Sequence, residues 1–322
     1  MSAPSTSKRS VAQALDFLAE QRRRPDRRSQ EVVACGELIL LGGHLNALGQ
    51  DELWSLLEQI AIAALDVGNW EVAELCVSRL NTRFPESSRV ASLQGMLLEA
   101  RGEASKALDF YQSQLAKDPT DVTMAKRRIA AMKAIDPNMD PRGGVPNAIL
   151  ALRAFLDHYY ADAEGWQELA GLYANVALYP QAIFALEELQ LLQPQNIFVV
   201  LQLAETQYTA QELEKAYTSF LRVVDMCDRV DPGTRNTGPW LRSLWGLKAT
   251  TSKLLQRGEG ASVIRSGTKE DQAAFSLSKV KEVDALITDL ILNRAYISSS
   301  KDGLAGPRLT REAARALLAA AS

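Results

Sequence analysis

Two histidines and three cysteines are the whole stock of soft ligands and strong nucleophiles in this chain. His44 and His158 lie outside metal-ligand spacing of each other and of any cysteine, so each reads as a surface or hydrogen-bonded structural residue. Cys35, Cys76 and Cys227 form no C-x-x-C pair. An odd, scattered set of thiols suits a reducing compartment, where each serves as a small apolar side chain. Glu187 and Glu188 are adjacent carboxylates, but neighbours on a helix point about 100° apart, so a solvated face is their expected role. No G-x-S-x-G, Walker loop or H-E-x-x-H occurs, and Gly143-Gly144 sits in a proline-bracketed turn rather than between a strand and a helix. The residues therefore point to no catalysis, no cofactor and no metal.

Charge is the remaining chemistry. The 322 residues are 47% apolar and 23% charged, with a net charge of −3, which offers no global attraction for nucleic acid or an anionic membrane. Three basic clusters stand out: Arg22-Arg23-Arg24, Arg27-Arg28 and Lys126-Arg127-Arg128. The first closes a helix ahead of Pro25, where cations suit the C-terminal dipole. No run reaches the roughly 18 apolar residues of a membrane span, and the polar, Ser-rich start shows no signal peptide. These features read as cytosolic.

The elements that position these residues repeat. From Ala163, the residues Trp166, Leu169, Ala170, Tyr173, Ala182, Leu186, Leu189 and Pro194 occupy every slot of the tetratricopeptide pattern, whose period is about 34 residues. Units beginning at Trp54, Ser88 and Ile197 keep the same phase. Position 8 supplies Ala61, Gly95, Ala170 and Ala204; position 20 supplies Ala73, Ala107, Ala182 and Ala216. Both sit where two helices cross closely, and a larger residue at position 20 should overpack by about 1–3 kcal/mol. In the unit starting at Val122 the small residue is Ala148, seven places late, which the enlarged turn 136–146 explains. Prolines near position 32 end each second helix. One hairpin cannot bury its own apolar face, so several must stack. The expected fold is an all-α tetratricopeptide-repeat right-handed superhelix, an α-solenoid, with irregular helical caps.

The expected organisation is an N-terminal cap at 1–50, the array at 51–232, a degenerate repeat and C-terminal cap at 233–297, and a linker with a short helix at 298–322. Ser10 with Gln13 forms a capping-box start for a helix to about Arg24, and a second helix runs from Ser29 to about Leu48. Trp240 to Leu255 opens the degenerate hairpin, with Gly246 at its small position. Residues 257–272 read as a flexible insertion, 273–296 as helical again, and Thr310 as the cap of a last Ala-rich helix.

In such a superhelix, positions 2, 5, 9 and 12 of the first helices line the concave groove. They supply Arg89 and Phe198, then Lys126, Gln167 and Leu201, then Ile62 and Met96, then Leu65, Lys133 and Tyr208. Apolar residues gather at both ends, as a partner-binding groove would show them, unless the flanking helices cover them. A stand-alone adaptor or co-chaperone is the alternative reading. Its carboxylate clamp is disfavoured, because Glu58 and Asp66 stand where cationic or amide side chains are needed and would repel a C-terminal carboxylate.

Several stretches go beyond repeat slots: Ile62 to Gly68, Arg83 to Glu86, Asp118 to Asp121, Lys126 to Ala130, Trp166 to Tyr173, Leu186 to Leu189 and Pro194 to Asn196. In these the chain resembles, over roughly residues 30–225, the second subunit of the endoplasmic reticulum membrane protein complex, in a fungal-type version. The resemblance implies a non-catalytic subunit on the cytoplasmic face of that membrane, with membrane association only through partners. It implies that the chain cradles cytosolic segments of the third and fifth subunits, binds the eighth or ninth, and supports insertion of tail-anchored and multi-pass proteins. The turn 136–146, the 257–272 insertion and the Ala-rich tail depart from the family pattern.

Overall fold

Where the helices begin and end follows from a few side chains. Ser10 Oγ accepts from the Gln13 amide at 3.3 Å while Gln13 Oε1 accepts from the Ser10 amide at 3.0 Å, closing the expected capping box. Asn69, Asp121 and Asn196 cap other helices by accepting from the Val72, Met124 and Phe198 amides at 3.3, 3.0 and 3.1 Å. Helices stop at Arg83, Lys117 and Leu192, each two residues ahead of a proline.

The computed structural model describes residues 10–24, 26–43, 49–230, 238–260, 277–295 and 306–320, and all regular structure among them is helical. The chain divides into two compact units, Met1–Phe155 and Leu156–Ser322. The first holds α1 (Val11–Arg23), α2 (Ser29–Leu41), α3 (Gln50–Val67), α4 (Trp70–Arg83), α5 (Ser88–Ala100), α6 (Ala104–Lys117), α7 (Val122–Ala134) and most of α8 (Val145–His158). The second holds the end of α8, then α9 (Ala163–Asn175), α10 (Tyr179–Leu192), α11 (Ile197–Thr209), α12 (Leu213–Val230), α13 (Pro239–Gly260), α14 (Leu277–Leu290) with a π-helical turn Ile291–Ala295, and α15 (Gly306–Ala320). This is an all-α tetratricopeptide-type array in which consecutive helices pack pairwise from α1 to α7 in the first unit and from α9 to α14 in the second.

The small positions are buried as their spacing requires. Ala61, Ala73, Ala107, Ala148, Ala182, Ala204 and Ala216 are 0% exposed. The first unit's core runs from Ala14 and Leu18 of α1 through Ile60 of α3 to Leu93 and Leu97 of α5. The second unit's core joins Val200 and Ala204 of α11 to Phe220, Leu244, Ile287 and Leu318. A Cβ on Gly246 would lie 2.4 Å from the Phe220 ring, so α13 continues the small-residue contact beyond the regular repeats.

The enlarged turn is pinned rather than slack. The Gly144 amide donates to the Met132 carbonyl at 2.8 Å with φ at +92°, a conformation that favours glycine. Arg142 bonds Asp140 within the turn at 2.7 Å and reaches Asp109 of α6 at 2.5 Å. The side-chain and backbone bonds from Arg142 hold the Asp140 carboxyl well below the ordinary carboxylate range.

Three expected boundaries move. α2 ends at Leu41 rather than Leu48, because Gly42 and Gly43 follow and Gly43 takes φ +70°; residues 44–48 lie outside the described residues. α13 runs on to Gly260, so the start of the expected insertion is helical, and residues 261–276 lie outside the described residues. The next helix is described from Leu277, and its expected start at 273 lies outside the described residues. The last begins at Gly306, with Pro307 in its first turn, so Thr310 lies inside it rather than capping it.

Candidate functional site

In the first unit the expected groove positions meet the N-terminal cap at a cleft of about 420 Å³. Ser55, Glu58 and Ile62 of α3 and Arg89 of α5 form one wall; Arg22 and Arg27 come from α1 and the segment after it. The acids are engaged. Arg89 Nε bonds Glu58 at 2.5 Å, and Arg27 grips Asp66 through two bonds of 2.6 and 2.7 Å, joined by Ser29 Oγ at 2.7 Å. Desolvation pushes the Asp66 carboxyl upward, but the bonds from Arg27 and Ser29 outweigh it and hold it below its ordinary value.

This corrects one expectation. Glu58 and Asp66 would repel a carboxylate only if unpaired, and each is matched by an arginine. What still weighs against a carboxylate clamp is the absence of lysine and asparagine from those slots. Arg22, read from sequence as a helix-end cation, also bonds Gln59 at 3.0 Å and pairs with Glu52 at 3.6 Å. The arginine cluster thus fastens the cap to α3.

The individual groove residues divide sharply. Ile62, Leu65 and Met96 are half-buried and pack against the first unit's core, so the cap covers much of that apolar end. The Arg89 side chain is 78% exposed. Lys126 is half-buried with Nζ 6.0 Å from the centre of the Phe155 ring, and Lys133 is exposed in the last turn of α7. Behind them Arg127 lies 3.9 Å from Glu99, which also accepts a hydrogen bond from Tyr111. Burial first and that bond second push the Tyr111 hydroxyl far above its usual range, so it stays a donor.

In the second unit Gln167 is exposed and Phe198 is 68% exposed. Leu201, expected in the groove, is instead 3% exposed, because it belongs to the core that α11 shares with α12 and α13. Tyr208 is half-buried, with Lys253 of α13 placing Nζ 4.2 Å from its ring centre. Arg242 of the same helix bonds Glu205 at 2.5 Å. The α13 helix therefore screens part of the last repeat's inner face, the cover by a flanking helix that the sequence had left open as the alternative to an exposed groove.

The remaining histidines and cysteines are dispersed along the chain. His158 is exposed at the end of α8, and His44 lies outside the described residues. All three cysteines are buried, and burial pushes the Cys76 thiol up to about 12. No group of three or more His, Cys, Asp or Glu among the described residues could hold a metal ion. No described helix is long and apolar enough to cross a membrane. The geometry offers surfaces and ion pairs, which can bind a polypeptide.

Comparison with known proteins bears on which polypeptides. The model of the "EMC2 TPR-like repeat domain" family matches residues 74–224. The chain is 33% identical over 238 residues to the "TPR repeat protein oca3" of Schizosaccharomyces pombe, covering 72% of this chain and 81% of that one. It is 40% identical over 188 residues to "ER membrane protein complex subunit 2" of Xenopus tropicalis, covering 58% of this chain and 60% of that one. It is 24% identical to the Saccharomyces cerevisiae protein of the same name, covering 77% of this chain and 85% of that one. The matched region thus spans about three fifths of the frog relative's length.

Proposed function

This chain belongs to the ER membrane protein complex subunit 2 family, and from that premise we propose that it is a non-catalytic scaffold at the cytoplasmic face of the endoplasmic reticulum. In this reading the first helices of the repeats cradle cytosolic segments of the third and fifth subunits. The eighth or ninth subunit binds alongside, and the assembly supports insertion of tail-anchored and multi-pass proteins. Membrane association is indirect.

The observation that supports this best is the family match across residues 74–224, which spans the α5 and α7 helices bearing Arg89, Met96, Lys126 and Lys133. In the first unit these residues present exposed or half-buried surface between the ion-paired cleft and the end of α7. In the second unit Gln167 and Phe198 are the remaining open groove positions, while Tyr208 contributes only the edge that Lys253 leaves uncovered. Cations in such a surface suit acidic or carbonyl-rich partner segments.

The test is charge reversal of Lys126→Glu together with Lys133→Glu in the full chain, expressed in cells lacking the native copy. Recovery of membrane-embedded subunits with the variant should fall about tenfold or more while its helicity and melting temperature hold. Undiminished recovery would remove these lysines from the interface. Capture of an acidic C-terminal peptide in place of the membrane subunits would favour the stand-alone co-chaperone instead.

A further inference from the structure

Cations are distributed unevenly along this chain. Residues 159–214 carry eight Asp or Glu and no Lys, Arg or His, although 36 Lys and Arg in 322 residues would place about six in a stretch that long. All of α9, α10 and α11 lies in this stretch. Some of its acids are met from beyond it: Lys215 pairs with Glu212 at 2.9 Å and Arg242 with Glu205 at 2.5 Å. Lys215 also feels the charge of Glu187.

The same stretch exposes large apolar side chains on α10. Phe184 is 55% exposed and Leu191 is 76% exposed. They are seven residues apart, so they lie on one stripe about 10 Å long. Glu187 and Glu188 sit between them, one turn from each. The stripe is built on a rigid base. The Trp166 ring of α9 stands edge-on to Phe184 with centroids 6.2 Å apart, and its Nε1 donates to the Tyr160 carbonyl at 2.7 Å. Tyr160 itself is 73% exposed. A fixed aromatic step, a protruding leucine and carboxylates between them make a surface that core packing does not explain.

We propose that this face of α10 is a docking surface for a basic amphipathic segment of a partner protein, distinct from the groove on the first helices. Charge complementarity selects the occupant. An anionic membrane or nucleic acid would be repelled by Glu187 and Glu188 on a helix that carries no cation of its own. A second copy docked face to face would set Glu187 and Glu188 against their own equivalents. A helix or extended segment with Lys or Arg flanking large apolar residues satisfies both features, with apolar side chains on Phe184 and Leu191 and cations on the glutamates.

The probe is a fluorescein-labelled helical peptide made of leucine and lysine, titrated with the full chain and read by anisotropy. Binding should weaken at least about tenfold in the Phe184→Ala, Leu191→Ser double variant and in the Glu187→Lys, Glu188→Lys double variant. Every changed residue is partly or fully solvent-facing, so helicity should be unchanged. A lysine–serine peptide of equal charge should bind about tenfold more weakly. Equal binding of the lysine–serine peptide, or undiminished binding by the Phe184 and Leu191 variant, would mean diffuse attraction and overturn the proposal. So would Phe184-dependent sedimentation with phosphatidylserine vesicles, which would make the occupant a lipid surface.

Discussion

Replacing Gly95 by alanine isolates the steric logic of the repeat, and Gly171 provides its internal control. Both glycines lie inside first helices, at positions 8 and 9 of their repeats. Helix propensity alone should reward either substitution by about 1 kcal/mol. At Gly171 a new Cβ meets nothing within 4 Å, so Gly171→Ala should stabilise by roughly that amount. At Gly95 the same Cβ would fall 2.2 Å from Tyr111 Cε1 and 2.4 Å from Cζ. Tyr111 is 0% exposed and its hydroxyl is held by Glu99, so the ring has little room to withdraw. Overpacking of about 1–3 kcal/mol then offsets or overtakes the propensity gain, and Gly95→Ala should destabilise by up to about 2 kcal/mol. Thermal melts followed by far-ultraviolet circular dichroism should move in opposite directions, by about 2–4 °C per kcal/mol for a body of this size. Shrinking the ring with Tyr111→Leu should relieve the clash, so the double variant should show a favourable coupling. Equal shifts for Gly95→Ala and Gly171→Ala would refute the claim that helix crossing, rather than propensity, dictates small residues here.

Other outcomes follow from particular contacts. Position 15 is glycine in two repeats (Gly68, φ +78°; Gly102, φ +77°) but Gln211 takes φ +63° in another, so Gln211→Gly should stabilise by about 0.5–1 kcal/mol in a denaturant titration. Lys248 and Asp284, 2.7 Å apart and largely buried, tie α13 to α14; Asp284→Ala should cost about 3–5 kcal/mol, and pairing Lys248→Met with Asp284→Leu should restore most of it. The Asp66 carboxyl is depressed in the folded chain, so its stabilising contribution is complete above its unfolded pKa of about 3.9 and disappears as pH falls through the folded value. Melting temperature against pH should therefore fall less steeply in acid for Arg27→Ala than for the parent. With its thiol raised to about 12, Cys76 should resist a thiol reagent at neutral pH until the chain is unfolded.

Side chains acting over short range announced themselves in the sequence. Ala73, Ala107, Ala182 and Ala216 recur because two backbones approach there, and Ala148 is recognisable seven places late because the proline- and glycine-rich turn absorbs the difference. Ser10 and Gln13 mark a helix start, since a cap needs only an acceptor at one end of a turn. What spacing did not show is what covers what. Leu201 occupies a groove slot and is nonetheless core, because α12 and α13 close over it. Arg27 and Asp66 meet across 39 residues, a pairing that no local period encodes. Gln211 hides a left-handed turn that a glycine would have marked. The acidic stripe on α10 was visible only as Glu187-Glu188, whose meaning depends on Phe184 and Leu191 standing out beside them.

The scaffold account is tested most directly by affinity purification of the tagged full chain from native membranes, with identification of every chain recovered. The account predicts that it sediments with endoplasmic reticulum membranes and comes away in detergent together with membrane-embedded subunits of the complex. Recovery as a free monomer in the cytosolic fraction, with no such subunits bound, would contradict it.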